Sequence, residues 1–188
     1  MRPAPLTPVP LTPVLLTSRL LLRPFEHDDA PALATLFNNP SVSMGICSAP
    51  LPFTQLHASA RILMIRAREV AGKDYVWAIE GMDGTIIGTL GLELSTQRVA
   101  TLGYALAQDF WVCGYATEAA SAVLNWAGRN LILSEIRAEV FADNPTSARV
   151  LAKLGFVETG TSARFSLARL DADPTRTFSR SELAKIGM

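Results

Sequence analysis

The stretch DFWVCGYATEAASAVLNWAGRN, residues 109–130, changes from an aromatic turn to an alanine-rich segment at a single glycine, Gly114. An abrupt helix start exposes amides without intrahelical partners, together with the positive end of the helix dipole. A glycine-containing turn leading directly from a strand into such a helix would hold a phosphate anion on the amides of Val112 to Thr117. The alternative is that Gly114 only relieves a tight strand-to-helix turn, and this stretch alone leaves both interpretations open.

The glycine pattern argues against two common nucleotide sites. The turn has one glycine and no following Lys-Ser or Lys-Thr pair, so it matches neither GxGxxG nor GxxxxGK[ST]. A dinucleotide or nucleoside-triphosphate site is therefore not expected here.

Runs rich in β-branched and aromatic residues flank this stretch. Residues 75–80, 85–94 and 100–107 precede it, and the first two are joined by Gly81-Met82-Asp83-Gly84, a hairpin signature. Another strand is predicted after it, at residues 135–141. Weaker strand patterns follow in GFVETG and TRTFSR, and SRLLLRPF, residues 18–25, predicts the first strand.

Helical patterns fill the remaining positions. Asp28-Asp29 predict one helix start and Thr54 another, and the second helix is expected to end at Gly72. Asn144-Pro145 predict a helix that ends at Gly155 and turns Val150, Leu151 and Leu154 inward. The apolar face predicted for the Thr54 helix comprises Leu56, Ala60, Leu63, Ala67 and Val70.

The order of elements, β-α-α-β-β-β-α-β-α-β, predicts an α+β (α/β layer) fold, a mixed sheet with helices on its faces. At 188 residues, with 49% hydrophobic residues, the chain is expected to form a single domain over residues 16–188. Residues 1–15 contain a repeated Leu-Thr-Pro-Val and predict an extended Pro-rich N-terminal arm, since proline does not fit helices or central strands.

Composition limits the function. Seventeen basic residues balance seventeen acidic ones, which argues against nucleic-acid binding or a polybasic membrane patch. Cys47 and Cys113 form neither a disulfide framework nor a metal-ligand spacing, so we expect no metal site and a cytoplasmic location. The N-terminus lacks the continuous apolar region of a signal peptide, and no run of apolar residues is long enough for a membrane span.

The motifs together resemble a known family. LTSRLLLRPFEHDDAPALATLFNNP, IIGTLGLE, LGYALAQDFWVCGYATEAASAVLNWA and FADNPTSARVLAKLGFVETG occur in the order seen in the GNAT superfamily of N-acetyltransferases. The chain looks most like the branch of the Rim ribosomal-protein N-acetyltransferases, over about residues 15 to 165. The resemblance implies a GNAT fold with a mostly antiparallel central sheet, and acetyl-CoA as cosubstrate.

The resemblance also assigns a cofactor-binding turn. In the family, [QR]xxGx[GA] holds the pyrophosphate of acetyl-CoA on backbone amides, and here it corresponds to Trp111, Val112, Cys113, Gly114, Tyr115 and Ala116, with the Thr117 amide directly after it. Trp111 cannot supply the polar side chain of the first position, and Val112-Cys113 lack positive charge. We therefore expect weaker CoA binding than in a member with basic residues there.

Family resemblance places the reacting groups as well. The strand ending at Leu106 would splay from the strand ending near Phe141, and the pantetheine arm would lie against Tyr104, Ala105 and Leu106. The Leu106 amide would polarise the thioester carbonyl for direct attack by an amine. Leu151 occupies the usual tyrosine position, but the Rim-type branch has Ser three residues after the Asn, and Ser147 matches it as the candidate acid. Ser147 and Asn144 have local capping roles as alternatives to contacts with the cofactor.

The general base is left open. The Rim-type branch often carries Glu two residues before Gly-Tyr on the central strand, but this position is Thr101 here. The candidates for the base are therefore Glu93, Glu118, Glu139 or a water that relays the proton. An α-amine, with a pKa near 8, needs little help from a base.

The acceptor is expected to be a protein or peptide N-terminus or a compact amine metabolite. The wall at residues 38–53 has no acidic cluster that would recruit an aminoglycoside or polyamine. The alternatives are a non-catalytic acyl-CoA-binding module and a small-molecule acetyltransferase that acts on an aminoglycoside or polyamine. A monomer or a homodimer is expected.

Overall fold

Eight strands form one sheet in the computed structural model, which describes residues 11–95 and 98–181. The strands are β1 (Leu15–Leu16), β2 (Leu20–Pro24), β3 (Asp74–Gly81), β4 (Ile86–Leu94), β5 (Val99–Leu106), β6 (Glu135–Phe141), β7 (Val157–Ser166) and β8 (Asp171–Ser181). Their order across the sheet is β1-β2-β3-β4-β5-β6-β8-β7. All neighbours pair antiparallel except β5 and β6, which are parallel.

Helices cover both faces of this sheet. They are α1 (Ala30–Phe37), α2 (Pro40–Ser43), α3 (Gln55–Val70), α4 (Tyr115–Asn130) and α5 (Pro145–Lys153), with 3₁₀ turns at His27–Asp29 and Gln108–Phe110. One core lies between the sheet and α4 and α5, and a second lies between the sheet and α1 and α3. This arrangement confirms the predicted fold class, a mixed and mostly antiparallel sheet flanked by helices.

The parallel pair β5 and β6 separates along its length. Residues Val99 to Leu102 pair with Glu135 to Ala138, whereas no pairing joins the remaining parts of the two strands. The splay expected between the strands ending at Leu106 and Phe141 is therefore present. It leaves main-chain groups of β5 facing an open gap.

The α3 helix buries a different face from the predicted one. Its N-cap is Thr54, as predicted, and its buried residues are Ala58 and Ile62. The predicted apolar face was wrong, because Leu56 and Val70 are 77% and 79% exposed and Leu63 is also exposed. The helix carries apolar residues on two sides, and Ala58 and Ile62 share a core cluster with residues of α1.

The end of the predicted Pro-rich arm packs against the domain. Residues 1–10 lie outside the described residues. The Thr12 amide donates to Glu69 Oε1 over 2.7 Å, and the Trp77 indole donates to the Pro13 carbonyl over 2.7 Å. Leu15–Leu16 then pair with β2. The boundary between residues 15 and 16 stays a prediction.

Gly88 of β4 lies opposite Leu106, at the point where β5 ends. A Cβ atom at Gly88 would stand 2.4 Å from the Ala105 carbonyl oxygen and 2.5 Å from Leu106 Cδ2. Because the first of these is a backbone atom, any side chain at this position would displace the last residues of β5.

We expect Gly88→Ala to lower the free energy of unfolding by about 2 kcal/mol, since the added methyl overpacks the sheet. Acetyl-CoA binding should weaken with it, because Leu106 would shift. Urea unfolding and calorimetric titration measure the two effects. Gly103→Ala is the control, since its added Cβ would meet nothing within 4 Å; equal losses in both variants would contradict the explanation.

Candidate functional site

A cleft of about 630 Å³ opens where β5 and β6 separate. Its walls come from α2 and the loop after it, the end of β5, the start of α4, and α5. It is lined by Ser41, Val42, Met44, Gly45, Ile46, Tyr104, Ala105, Leu106, Phe110, Trp111, Val112, Gly114, Tyr115, Ala116, Thr117, Asp143, Asn144, Pro145, Thr146, Ser147, Arg149, Val150, Lys153 and Arg169.

The structure brings together eleven of the twelve predicted site residues in this cleft, although their roles stay predictions. Cys113 is the exception. Its side chain is exposed, and its carbonyl accepts a hydrogen bond from Arg19 Nη1 over 3.2 Å. Cys113 therefore contributes to the turn through its backbone.

The turn before α4 does not follow the strand directly, which corrects the expected local geometry. The 3₁₀ turn at Gln108–Phe110 intervenes between β5 and the Trp111–Gly114 segment. Gly114 is the N-cap of α4 and has a left-handed φ of +84°. Glycine adopts this conformation without steric cost, so Gly114 does relieve a tight turn, and its phosphate-binding role stays a prediction.

The amides of residues 112–117 are free to bind a ligand. None of them donates to a protein acceptor within residues 11–95 and 98–181. Val112 has a φ of +64°, a strained conformation for a β-branched residue, and its side chain is 89% exposed. Strain of this kind persists where the surroundings impose it, and it concentrates at binding sites. The turn therefore has the donors and the dipole that suit an anion.

Trp111 connects this turn to the end of β5. Its indole N–H donates to the Leu106 carbonyl over 2.7 Å. The Ala107 amide donates to Ile87 of β4 over 2.8 Å, and main-chain groups alternate in direction along a strand. The Leu106 N–H and C=O therefore point away from β4 and into the gap, where the amide is available as a donor.

Two hydroxyl groups meet at the start of α5. The Asn144 side chain accepts from the Ser147 amide over 3.0 Å, which confirms its capping role. The Tyr104 hydroxyl donates to the Ser147 carbonyl over 3.2 Å. Burial raises the pKa of Tyr104 to about 12, so this group stays protonated at neutral pH.

None of the three carboxylates considered as a base lines the cleft. Glu93 pairs with Arg68 at 2.8 Å, and Glu139 pairs with Arg164 at 2.7 Å. Glu118 pairs with Arg19. Four charged residues that do line the cleft, Asp143, Arg149, Lys153 and Arg169, were not predicted. Asp143 was adjacent to the Asn-Pro motif, whereas no local pattern marked Arg169.

Glu118 ties the N-terminal strands to the first turn of α4. Its carboxylate accepts from the Thr17 hydroxyl at 2.7 Å, the Ser18 hydroxyl at 3.0 Å and Arg19 Nε at 2.8 Å. Burial alone would raise the pKa of Glu118, but these hydrogen bonds outweigh it and lower the pKa to about 2. The Arg19 guanidinium also lies 4.3 Å from the Tyr115 ring centroid. This set of contacts holds the turn before α4 in place from the side of the N-terminal strands.

Neither a metal site nor a spanning helix was found in the described residues. Within residues 11–95 and 98–181, no three His, Cys, Asp or Glu side chains meet in a way that would hold a metal ion. No helix there is both long enough and apolar enough to cross a bilayer.

Known proteins share this architecture. The family model described as the acetyltransferase (GNAT) domain matches residues 19–157. The uncharacterized N-acetyltransferase YoaA of Bacillus subtilis is 33% identical over 145 residues, which cover 76% of this chain and 81% of that protein.

Solved structures with a similar fold include two acetyltransferases. The microcin C7 self-immunity acetyltransferase MccE, solved with acetyl-CoA and AMP, has a TM-score of 0.79 at 15% identity, covering 88% of this chain and 93% of that chain. RimL, a ribosomal L7/L12 alpha-N-protein acetyltransferase solved with coenzyme A, has a TM-score of 0.79 at 18% identity. The match covers 92% of this chain and 98% of that chain. Identities this low show the fold alone.

We expect Glu118→Gln to lower the free energy of unfolding by about 1–2 kcal/mol at pH 7, because the ionised acceptor of several hydrogen bonds is lost. A carboxylate with a lowered pKa stabilises the fold above its ordinary pKa of 4.5 and loses that effect as the pH falls toward 2. The difference between the two proteins should therefore be largest above pH 4.5 and should shrink toward pH 2. Urea unfolding across this range measures it; a constant difference would contradict the assignment.

Proposed function

Because the chain belongs to the GNAT acetyltransferase family, an acetyl-CoA-dependent acyltransferase family, we propose that it transfers the acetyl group directly to a primary amine. The observation that carries this proposal is the row of free amides at residues 112–117, beside the gap between β5 and β6. The GNAT resemblance seen in the sequence is confirmed by the family match, and RimL shares the fold.

Acetyl-CoA would lie along the cleft, from the start of α4 to the end of β5. The free amides at the start of α4 would bind the diphosphate, and Arg149 and Lys153 of α5 would supply cations for the negative charge of the cosubstrate. The exposed main-chain groups of Tyr104 and Leu106 would hold the pantetheine arm as an added strand. Acetyl-CoA supplies the acetyl group as a thioester.

The residues of the chain would then promote direct transfer. The Leu106 amide, which faces the gap, would donate to the thioester oxygen as negative charge develops on it. The Ser147 hydroxyl would protonate the departing sulfur, and the position of Ser147 in the cleft lining supports that role. The Tyr104 hydroxyl, which donates to the Ser147 carbonyl, would hold this turn in place.

We propose a protein or peptide N-terminal α-amine, or a compact amine metabolite, as acceptor. An α-amine has an ordinary pKa near 8, so it attacks without a strong base. This fits a cleft in which Glu93, Glu118 and Glu139 have no part. RimL acetylates an α-amine of a ribosomal protein, and it shares the fold. A cytoplasmic location and a monomeric or homodimeric state are part of the same proposal.

A panel of short peptides and small amines, with detection of released CoA thiol, tests this function. We expect Ser147→Ala to lower kcat by about 100-fold, as the loss of a general acid does, while the KM for acetyl-CoA changes little. Thr35→Ala removes a helical hydroxyl outside the cleft and should behave like the wild type.

Two outcomes would overturn the proposal. Binding of acetyl-CoA without thiol release from any amine would indicate a non-catalytic acyl-CoA-binding module. Acetylation confined to aminoglycosides or spermidine would indicate a small-molecule acetyltransferase.

Lys153→Ala should weaken acetyl-CoA binding about threefold, because an exposed cation contributes only modestly in water. The dependence of the dissociation constant on salt should also become shallower. Calorimetric titration at two salt concentrations measures both changes. Arg129→Ala, at the far end of α4 and outside the cleft lining, is the matched control. An unchanged affinity and salt dependence in Lys153→Ala would place the negative charge of the cosubstrate elsewhere.

A further inference from the structure

We propose that Asp143, fixed in place by Arg169, binds the amine of the acceptor and orients it for attack. The proposal rests on the transferase function proposed above and identifies how the acceptor is recognised. Asp143 would contact the substrate, whereas Arg169 would be a positioning residue that acts through Asp143.

The cleft has opposite charge character at the two ends of α5. Within residues 11–95 and 98–181, Asp143 is the one carboxylate that lines the cleft. Asp143 directly precedes Asn144, the N-cap of α5, and Lys153 is the last residue of that helix. At 1.5 Å per residue, the helix separates them by about 12 Å. The end at Lys153 suits the phosphates of the cosubstrate, which leaves the end at Asp143 for the acceptor.

Asp143 is anchored but still accessible. Its two oxygens accept from Arg169 Nη1 and Nη2 over 2.8 and 3.0 Å, yet its side chain is 63% exposed. Each carboxylate oxygen accepts more than one hydrogen bond, so both keep room for a second donor. Hydrogen bonds from Arg169 lower the pKa of Asp143, and the group is an anion at neutral pH.

Arg169 is held rigidly by its other contacts. Its Nε donates to the Met44 carbonyl over 2.8 Å, and Nη1 also donates to Asp173 over 3.1 Å. The guanidinium lies 4.0 Å from the Phe141 ring centroid, and the side chain is 14% exposed. One side chain therefore connects the loop after α2, the turn before α5 and the turn between β7 and β8.

The same turn also fixes the wall that faces Asp143. The Ser166 hydroxyl donates to the Ile46 carbonyl over 3.1 Å, and the Leu167 amide donates to the Cys47 carbonyl over 3.0 Å. With the bond from Arg169 to Met44, three carbonyls in residues 44–47 accept donors from residues 166–169. The carboxylate and the acceptor wall are thus positioned by one element.

The charge at this end of the cleft favours an amine. Arg169 is matched against two carboxylates, Asp143 and Asp173, which leaves an excess of one negative charge. An arriving ammonium group is attracted to it. Once neutral, the amine donates one N–H to Asp143, and this bond directs the nitrogen lone pair toward the turn that carries Asn144 and Ser147. Charge-assisted hydrogen bonds are short and directional, which suits this role.

Binding of a matched peptide pair tests the proposal without relying on turnover. The probes are Ala-Ala-Ala amide and propionyl-Ala-Ala amide, which differ only in the N-terminal amine. Their dissociation constants are measured by ligand-observed NMR on the full chain with saturating CoA. We expect the wild type to bind the amine peptide at least about tenfold more tightly, as for a hydrogen bond to a charged group. Asp143→Asn should remove this preference.

Glu158→Gln is the matched control. Glu158 of β7 accepts from Arg176 of β8 at both oxygens, from Nε over 2.9 Å and from Nη2 over 2.6 Å. It does not line the cleft. This variant should keep the preference for the amine peptide. In turnover, Arg169→Lys should raise the KM for the acceptor and leave the KM for acetyl-CoA unchanged, because lysine cannot form the paired bonds.

A wild type that does not distinguish the two peptides would overturn the proposal, and so would a preference that survives in Asp143→Asn. Failure of the transferase function would look different. It would show as loss of CoA binding or as absence of thiol release with every amine, and neither result depends on the ratio of the two peptide affinities.

Discussion

The incomplete pairing of β5 and β6 is the constraint on which the rest of this structure depends. Buried backbone donors and acceptors need partners, and two adjacent parallel strands normally supply them to each other. Here the ladder ends at Leu102 and Ala138, although both strands continue. The remaining groups of β5 face a cleft in place of a neighbouring strand. A ligand with amides of its own can complete the sheet at this point.

Elements distant in sequence converge on that opening. Trp111 fixes the end of β5 to the turn before α4, and Glu118 fixes the first turn of α4 to the N-terminal strands. Asn144 caps α5 on the opposite side of the gap. Arg169, from the turn between β7 and β8, donates to Asp143 beside that cap. The site is therefore held by side-chain hydrogen bonds between elements, while the sheet determines only where the gap lies.

The sequence predicted the features whose causes are local. Strand runs, the caps at Thr54 and Asn144 and the glycine at the start of α4 each depend on a few neighbouring residues, and the structure contains them. The 3₁₀ turn before Trp111 and the role of Arg169 were not predicted. Both depend on contacts made across the folded chain, and spacing along a sequence carries no direct record of them.

Because α3 carries apolar residues on two sides, its buried face was predicted wrongly. The same feature determines which positions of this helix tolerate substitution. Ala58 and Ile62 are fixed by the volume available beneath them, so few replacements fit. Leu56 and Val70 project away from the core, where side-chain size has no such limit. One helix thus carries two sets of positions that would be expected to drift at different rates over evolutionary time, slow on the inner side and fast on the outer.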